Sequence, residues 1–178
     1  MTARRRAPGG RSVVVGLVAL GALALAGCAG QEQAGTPAHQ VATWVSGSGA
    51  GSSIGAVEAD IRSVDLILAH HNPTGEIRSV CAILASDAAS GNGNLPTPDQ
   101  TLSVDLSNAY ASAYDAGTDC YNGAGGDAKQ LAESASLRTK ADAQLNQAVT
   151  RITTLTGRVP STTTTTAPAG SNDDPFGN

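Results

Sequence analysis

Aromatic side chains are scarce in this chain: one Trp, one Phe and three Tyr among 178 residues. A core built from large rings is thereby excluded, and the interior must be assembled from Leu, Ile, Val and closely packed Ala. Also missing is an apolar run of the roughly 20 residues that a membrane-spanning helix requires. The run at residues 13–26 stops short of that length. Lysine and arginine together number 11 against 15 acids, with no basic stripe. That balance argues against a nucleic-acid partner and against direct binding to anionic lipid head groups. None of the three cysteines, Cys28, Cys81 and Cys120, lies in a C-x-x-C pair, so no metal site is expected from them.

What is present begins at the N-terminus. Arg4, Arg5, Arg6 and Arg11 precede the apolar run, which ends in Gly27-Cys28. This charged, apolar, small-residue order is that of an export signal, and the short run favours cleavage over a permanent anchor. The residues Leu25-Ala26-Gly27-Cys28 resemble the bacterial lipobox, Leu-(Ala/Ser)-(Gly/Ala)-Cys, at all four positions. The resemblance implies that Cys28 receives a diacylglyceryl group through a thioether, that signal peptidase II cuts before it, and that Cys28 becomes the mature N-terminus. Two or more acyl chains make such an attachment stable, where one is marginal. Export by the twin-arginine route is disfavoured, because Arg5-Arg6 is followed by Ala7-Pro8-Gly9 rather than apolar residues.

Loss of residues 1–27 removes four arginines and no acids, leaving seven basic against fifteen acidic residues, a formal charge of −8. The acyl chains must then supply the membrane contact. With Cys28 committed to lipid, Cys81 and Cys120 remain, an even count in a setting that permits disulfides. Two buried free thiols are the alternative.

Four segments follow. Residues 1–27 are the lipoprotein signal peptide, residues 28–37 a small, polar lipidated tether with a reach of roughly 15–20 Å, residues 38–158 a helical domain, and residues 159–178 a Thr/Pro-rich tail. The tail has no apolar face to bury and is expected to be disordered, with O-glycosylation as a second use of such a tract. Within the domain, Ile54, Val57, Ile61, Val64 and Leu68 alternate spacings of three and four, one helical face, and Glu58 and Arg62 form an exposed pair four apart. Pro73 should close that helix near His71-Asn72 and open the next. Ile77, Val80, Cys81, Leu84 and Ala88 mark the second, ending in the breaker at residues 90–94. The third runs from about Pro98 to Tyr121 with Leu102, Leu106, Ala109, Ala113 and Cys120 in one stripe. Cys81 and Cys120 thus lie on facing apolar stripes, which supports their pairing. The fourth and longest reaches about Leu155 through Leu131, Ala135, Ala141, Leu145, Ala148 and Ile152, with Arg138 intruding on the seam. A short helix at 39–45 precedes them. The expectation is an all-α, antiparallel four-helix bundle with a disordered C-terminal tail; three helices beside a mobile long one is the alternative.

Several motifs suggest chemistry. Gly51-Ser52-Ser53-Ile54-Gly55 fits the G-x-S-x-G nucleophile pattern, which needs a strand before it and a histidine within reach. His70 and His71 lie at the far end of the helix that Ser53 begins, roughly 25 Å away, so Ser52 or Ser53 is read as an N-cap instead. Gly47, Gly49 and Gly51 lack the third glycine of a dinucleotide fingerprint. Adjacent His70-His71 form a poor chelate, and Asp115 and Asp119 read as a solvated acidic face. No catalytic residue, metal site or cofactor is therefore expected. Trp44 is the one candidate for lining a ligand cleft; Tyr110, Tyr114 and Tyr121 read as core or boundary residues.

The Ala/Gly/Thr bias together with the lipobox is similar to that of small exported helical lipoproteins of actinobacteria. The expected protein is a non-enzymatic lipoprotein of the extracytoplasmic face of the cell membrane, an interaction module for an envelope protein or wall polymer. A small apolar-ligand-binding lipoprotein is the alternative.

Overall fold

The computed structural model describes residues 35–158 and 160. The signal peptide, Cys28, the first part of the tether and the Thr-rich tract lie outside the described residues. Five helices account for most of the rest: α1 (Pro37–Gly47), α2 (Ala50–Ala69), α3 (Thr74–Asn92), α4 (Gln100–Gly123) and α5 (Ala128–Thr156). Among the described residues there is no strand, and no helix is long and apolar enough to cross a membrane.

Local chemistry explains where most helices start. Thr36 caps α1 by accepting from the His39 amide, with Pro37 at the first helical position. Asp99 accepts from Leu102 N at 2.8 Å to open α4. Asp127 accepts from Lys129 N and Gln130 N to open α5. The expected caps for α2 are overturned. That helix begins at Ala50 behind Gly49, whose φ of 71° is left-handed and which makes no side-chain cap bond. Glycine takes this conformation without a Cβ penalty. Ser52 and Ser53 lie inside the first turns, where both hydroxyls donate back to Gly49 O.

α2 packs on α3, α3 on α4 and α4 on α5, while α1 touches both α5 and α2, and α2 also meets α5. The buried cluster is continuous, with Ile54, Val57 and Val64 of α2, Leu84 of α3, Leu102 and Leu106 of α4, and Leu145 and Ile152 of α5 at its centre. Small residues bring the backbones close. A Cβ at Gly117 of α4 would stand 2.7 Å from both Ala85 N and Cys81 O of α3, so only glycine fits that crossing. The Cys81 and Cys120 sulfurs stand at disulfide distance beside it, with Cα atoms 5.6 Å apart.

One reading of the pattern, on α5, needs correction. The breaker at residues 90–94 does end α3, at Asn92, with Gly91 buried in the last turn. A Cβ there would lie 2.6 Å from the Tyr110 ring; the glycine makes room for the one fully buried tyrosine. On α5 the buried line runs through Ser134, Arg138, Ala141, Leu145, Ala148 and Ile152, while Ala135 is exposed. Two polar residues occupy the core line because their hydrogen bonds are made. Arg138 Nε donates to Asp65 Oδ1 at 2.9 Å, its Nη1 to Ser134 Oγ at 2.7 Å, and Ser134 Oγ to Ala116 O at 2.7 Å. This relay joins α2, α5 and α4.

Candidate functional site

α4 is buried on two sides, against α3 and α5, so its sequence has few positions left to face outward. Tyr114 and Tyr121 occupy two of them. Each follows a buried residue, Ala113 or Cys120, and a spacing of seven puts them two turns apart on one edge. They are 48% and 45% exposed in a chain with almost no other rings. Arg78, from the first turns of α3, lies over the Tyr121 ring at 5.4 Å from its centroid, a cation–π contact. Beside Tyr114, a cleft of about 350 Å³ opens between α3 and α4, bounded by Ala89 and Asn92 on one side and Ala111 and Asp115 on the other.

The flank of this edge is acidic. Burial first, then the charges of Glu133 and Asp115, raise the Asp119 carboxyl above its usual range. At the opposite end of α4, Arg151 grips Asp99 through two bonds of 2.6 and 2.8 Å. That contact holds Asp99 below the usual carboxylate range and ties α5 to the cap of α4.

The residues singled out from the sequence are not gathered in one place. Trp44 is 8% exposed, packed into the core, and its indole N–H donates to Asn94 O at 3.2 Å. Its neighbours Thr43 and Val45 line a groove of about 510 Å³. Ser53 accepts from Asn94 Nδ2 at 3.0 Å. It sits in α2 with no strand before it, so the nucleophile elbow is not formed. His39 is on α1 beside the start of α2, whereas His70 and His71 follow the other end of α2, about 30 Å away at the helical rise.

One pair of acids was not anticipated. Asp60 of α2 meets Asp87 of α3, and Asp60 Oδ2 is buried with no hydrogen-bond partner. Burial, and then the Asp87 carboxylate, push Asp60 up to about 7 from 3.8. A carboxyl raised on folding favours the protonated native state. Its contribution is therefore full below about pH 4, declines as the pH rises toward 7, and is absent above it. Allowing for part-exposure, the wild-type chain should lose about 1–2 kcal/mol across that window relative to Asp60→Asn. Urea unfolding of both proteins at several pH values checks this; parallel stability curves would show that Asp60 ionises freely.

Comparison with protein-family models, with curated proteins and with solved structures found no match to this chain.

Proposed function

We propose that this chain is a lipoprotein of the extracytoplasmic face of the cell membrane, anchored through lipid on Cys28, whose helical domain is a non-enzymatic interaction module. In this reading α2 to α5 form an antiparallel four-helix bundle, with α1 added against α5 and α2. Short connections favour antiparallel neighbours. Three ties point the same way: early Arg78 to late Tyr121, late Gly91 to early Tyr110, and the Asp99 cap of α4 to late Arg151 of α5.

The observation that carries the proposal is the exposed Tyr114 and Tyr121 edge. Interface hot spots are enriched in Tyr, and rings held on a helix lose little freedom when a partner covers them. The neighbouring Asp115, Asp119 and Glu133 favour an envelope protein that presents basic residues around an apolar anchor.

The test places a photo-reactive residue at position 111, on the same edge, in the lipidated protein in its own cells. A protein adduct is expected, lost when Tyr114→Ala and Tyr121→Ala are combined. Tyr114→Ala should alter stability by about 0.5 kcal/mol, and Tyr121→Ala, which also gives up the Arg78 contact, by about 1 kcal/mol. An adduct that survives them would place the partner elsewhere, and an adduct to wall polymer alone would replace the partner class. Metabolic labelling with palmitate, abolished in Cys28→Ala, tests the anchor separately. A second reading, a binder of a small apolar ligand, rests on the groove beside Trp44.

A further inference from the structure

The groove beside Trp44 lies between α1, the first turn of α2 and the C-terminal end of α5. Its volume of about 510 Å³ falls within the range of small-molecule sites. Val45, Ile152 and Pro160 supply an apolar wall, and His39 and Arg158 supply the basic side chains. Among the described residues no Asp or Glu lines it. That absence separates it from the other hollows described here: Asp105 lines one between α4 and α5, Asp115 the cleft beside Tyr114, and Asp87 a small one beside Ser53. In an acidic chain, this concavity alone among them combines a guanidinium with an apolar wall and, among the described residues, no acid.

The polar lining narrows the ligand further. The hydroxyls of Ser46, Ser52 and Thr156 already donate to main-chain carbonyls. Side-chain donors for a ligand therefore come from the Thr43 hydroxyl, the His39 ring and the Arg158 guanidinium, and of these the guanidinium suits a carboxylate or phosphate. The first turn of α2 carries no acid that would compete with a bound anion.

We infer that this groove binds an amphipathic anion, an acidic head held by Arg158 and His39 with an apolar tail laid along Val45, Ile152 and Pro160. The inference rests on the small-ligand reading and is independent of the Tyr114 edge. It adds the sign of the ligand's charge and the residues that read it.

Trp44, the chain's single tryptophan, sits between two lining residues and serves as a built-in reporter. The experiment titrates the full chain carrying Cys28→Ala, which takes no acyl group, with monomeric dodecanoate and with dodecyltrimethylammonium, the same tail bearing a cation. Trp44 fluorescence and calorimetry are read together. Dodecanoate should bind at least about tenfold more tightly than the cation, and Arg158→Glu should reverse that preference. Arg158 is exposed beyond the end of α5, so its replacement leaves the core untouched. Ser46→Phe, at an exposed position of α1, should block both ligands.

Vesicles of phosphatidylglycerol, compared with phosphatidylcholine, form a second arm. Binding to free dodecanoate assigns a soluble ligand, whereas Arg158-dependent binding to phosphatidylglycerol alone assigns a bilayer lipid; either supports an anionic head. Equal binding of the two amphiphiles would overturn the anion and keep the small-ligand reading, and binding of neither amphiphile, with none to phosphatidylglycerol either, would overturn both. Dodecanoate binding that appears only after deletion of residues 161–178 would overturn the ligand in favour of a self-contact, since that segment holds the acidic, aromatic stretch at residues 173–176.

Discussion

Reducing the Cys81–Cys120 bridge should lower the stability of the helical domain by about 4 kcal/mol. The two residues are 39 apart in sequence, and a bridge across a loop of that length removes much of the freedom of the unfolded chain. Both are fully buried, so in the native state the bridge is shielded and reductant acts chiefly through opened molecules. Thermal unfolding followed by circular dichroism, with and without reductant, should show a midpoint lowered by on the order of 15 °C. A thiol count on unreduced, denatured protein gives the independent check. Two reactive thiols from residues 81 and 120, or an unchanged midpoint, would exclude a stabilising bridge.

The second large effect is expected at Asp65. Its side chain is 58% exposed, while that of its partner Arg138 is 7% exposed, with 2.8 Å between Nη2 and Oδ1. Removing the carboxylate in Asp65→Ala leaves a buried guanidinium with Ser134 as its remaining side-chain partner. The loss should be about 3 kcal/mol, since an uncompensated buried charge costs far more than an exposed pair contributes. Arg138→Met added to Asp65→Ala removes the orphaned charge and should recover most of that loss. Chemical unfolding of the two single variants and the double variant measures the coupling directly. Additive losses would mean that Arg138 turns to solvent when its partner goes.

These two sites differ in how legible they were. The cysteines announced themselves, because each occupies a position in an apolar repeat of three and four. Ile54, Val57, Ile61 and Val64 located α2 for the same reason, and all four are buried. On the first half of α5, Arg138 could be placed on the seam, but Ser134 was passed over for the exposed Ala135, since periodicity is read from apolar residues. The burial of Ser134 and Arg138 depends on Asp65, 73 positions from Arg138, and no local pattern contains that information. Gly49 was missed as a cap because a left-handed glycine leaves no side-chain signature, whereas Thr36 and Asp127 do. The breaker at residues 90–94 was legible, since α3 ends at Asn92; the room that Gly91 leaves for Tyr110 was not.

The functional edges were harder still. The spacing of seven between Tyr114 and Tyr121 was visible, and so was their position one residue past the buried stripe. What could not be seen was that α4 is covered on two sides, which is what turns that edge outward. The groove draws on α1, α2 and α5, and its charge depends on Arg158 meeting residues more than a hundred positions earlier.

The bond from the Trp44 indole to Asn94 O has a mechanical consequence. α1 is the first described helix after the N-terminal segment, and this bond spans 50 positions, fastening it to the turn between α3 and α4. Beyond that turn, the Cys81 and Cys120 sulfurs stand at disulfide distance and α3 and α4 interlock at Gly117. Tension entering from the N-terminal side therefore meets a soft coupling before a hard one. Under such load α1 is expected to yield at Trp44 before the α3–α4 pair, in the manner of a mechanical fuse.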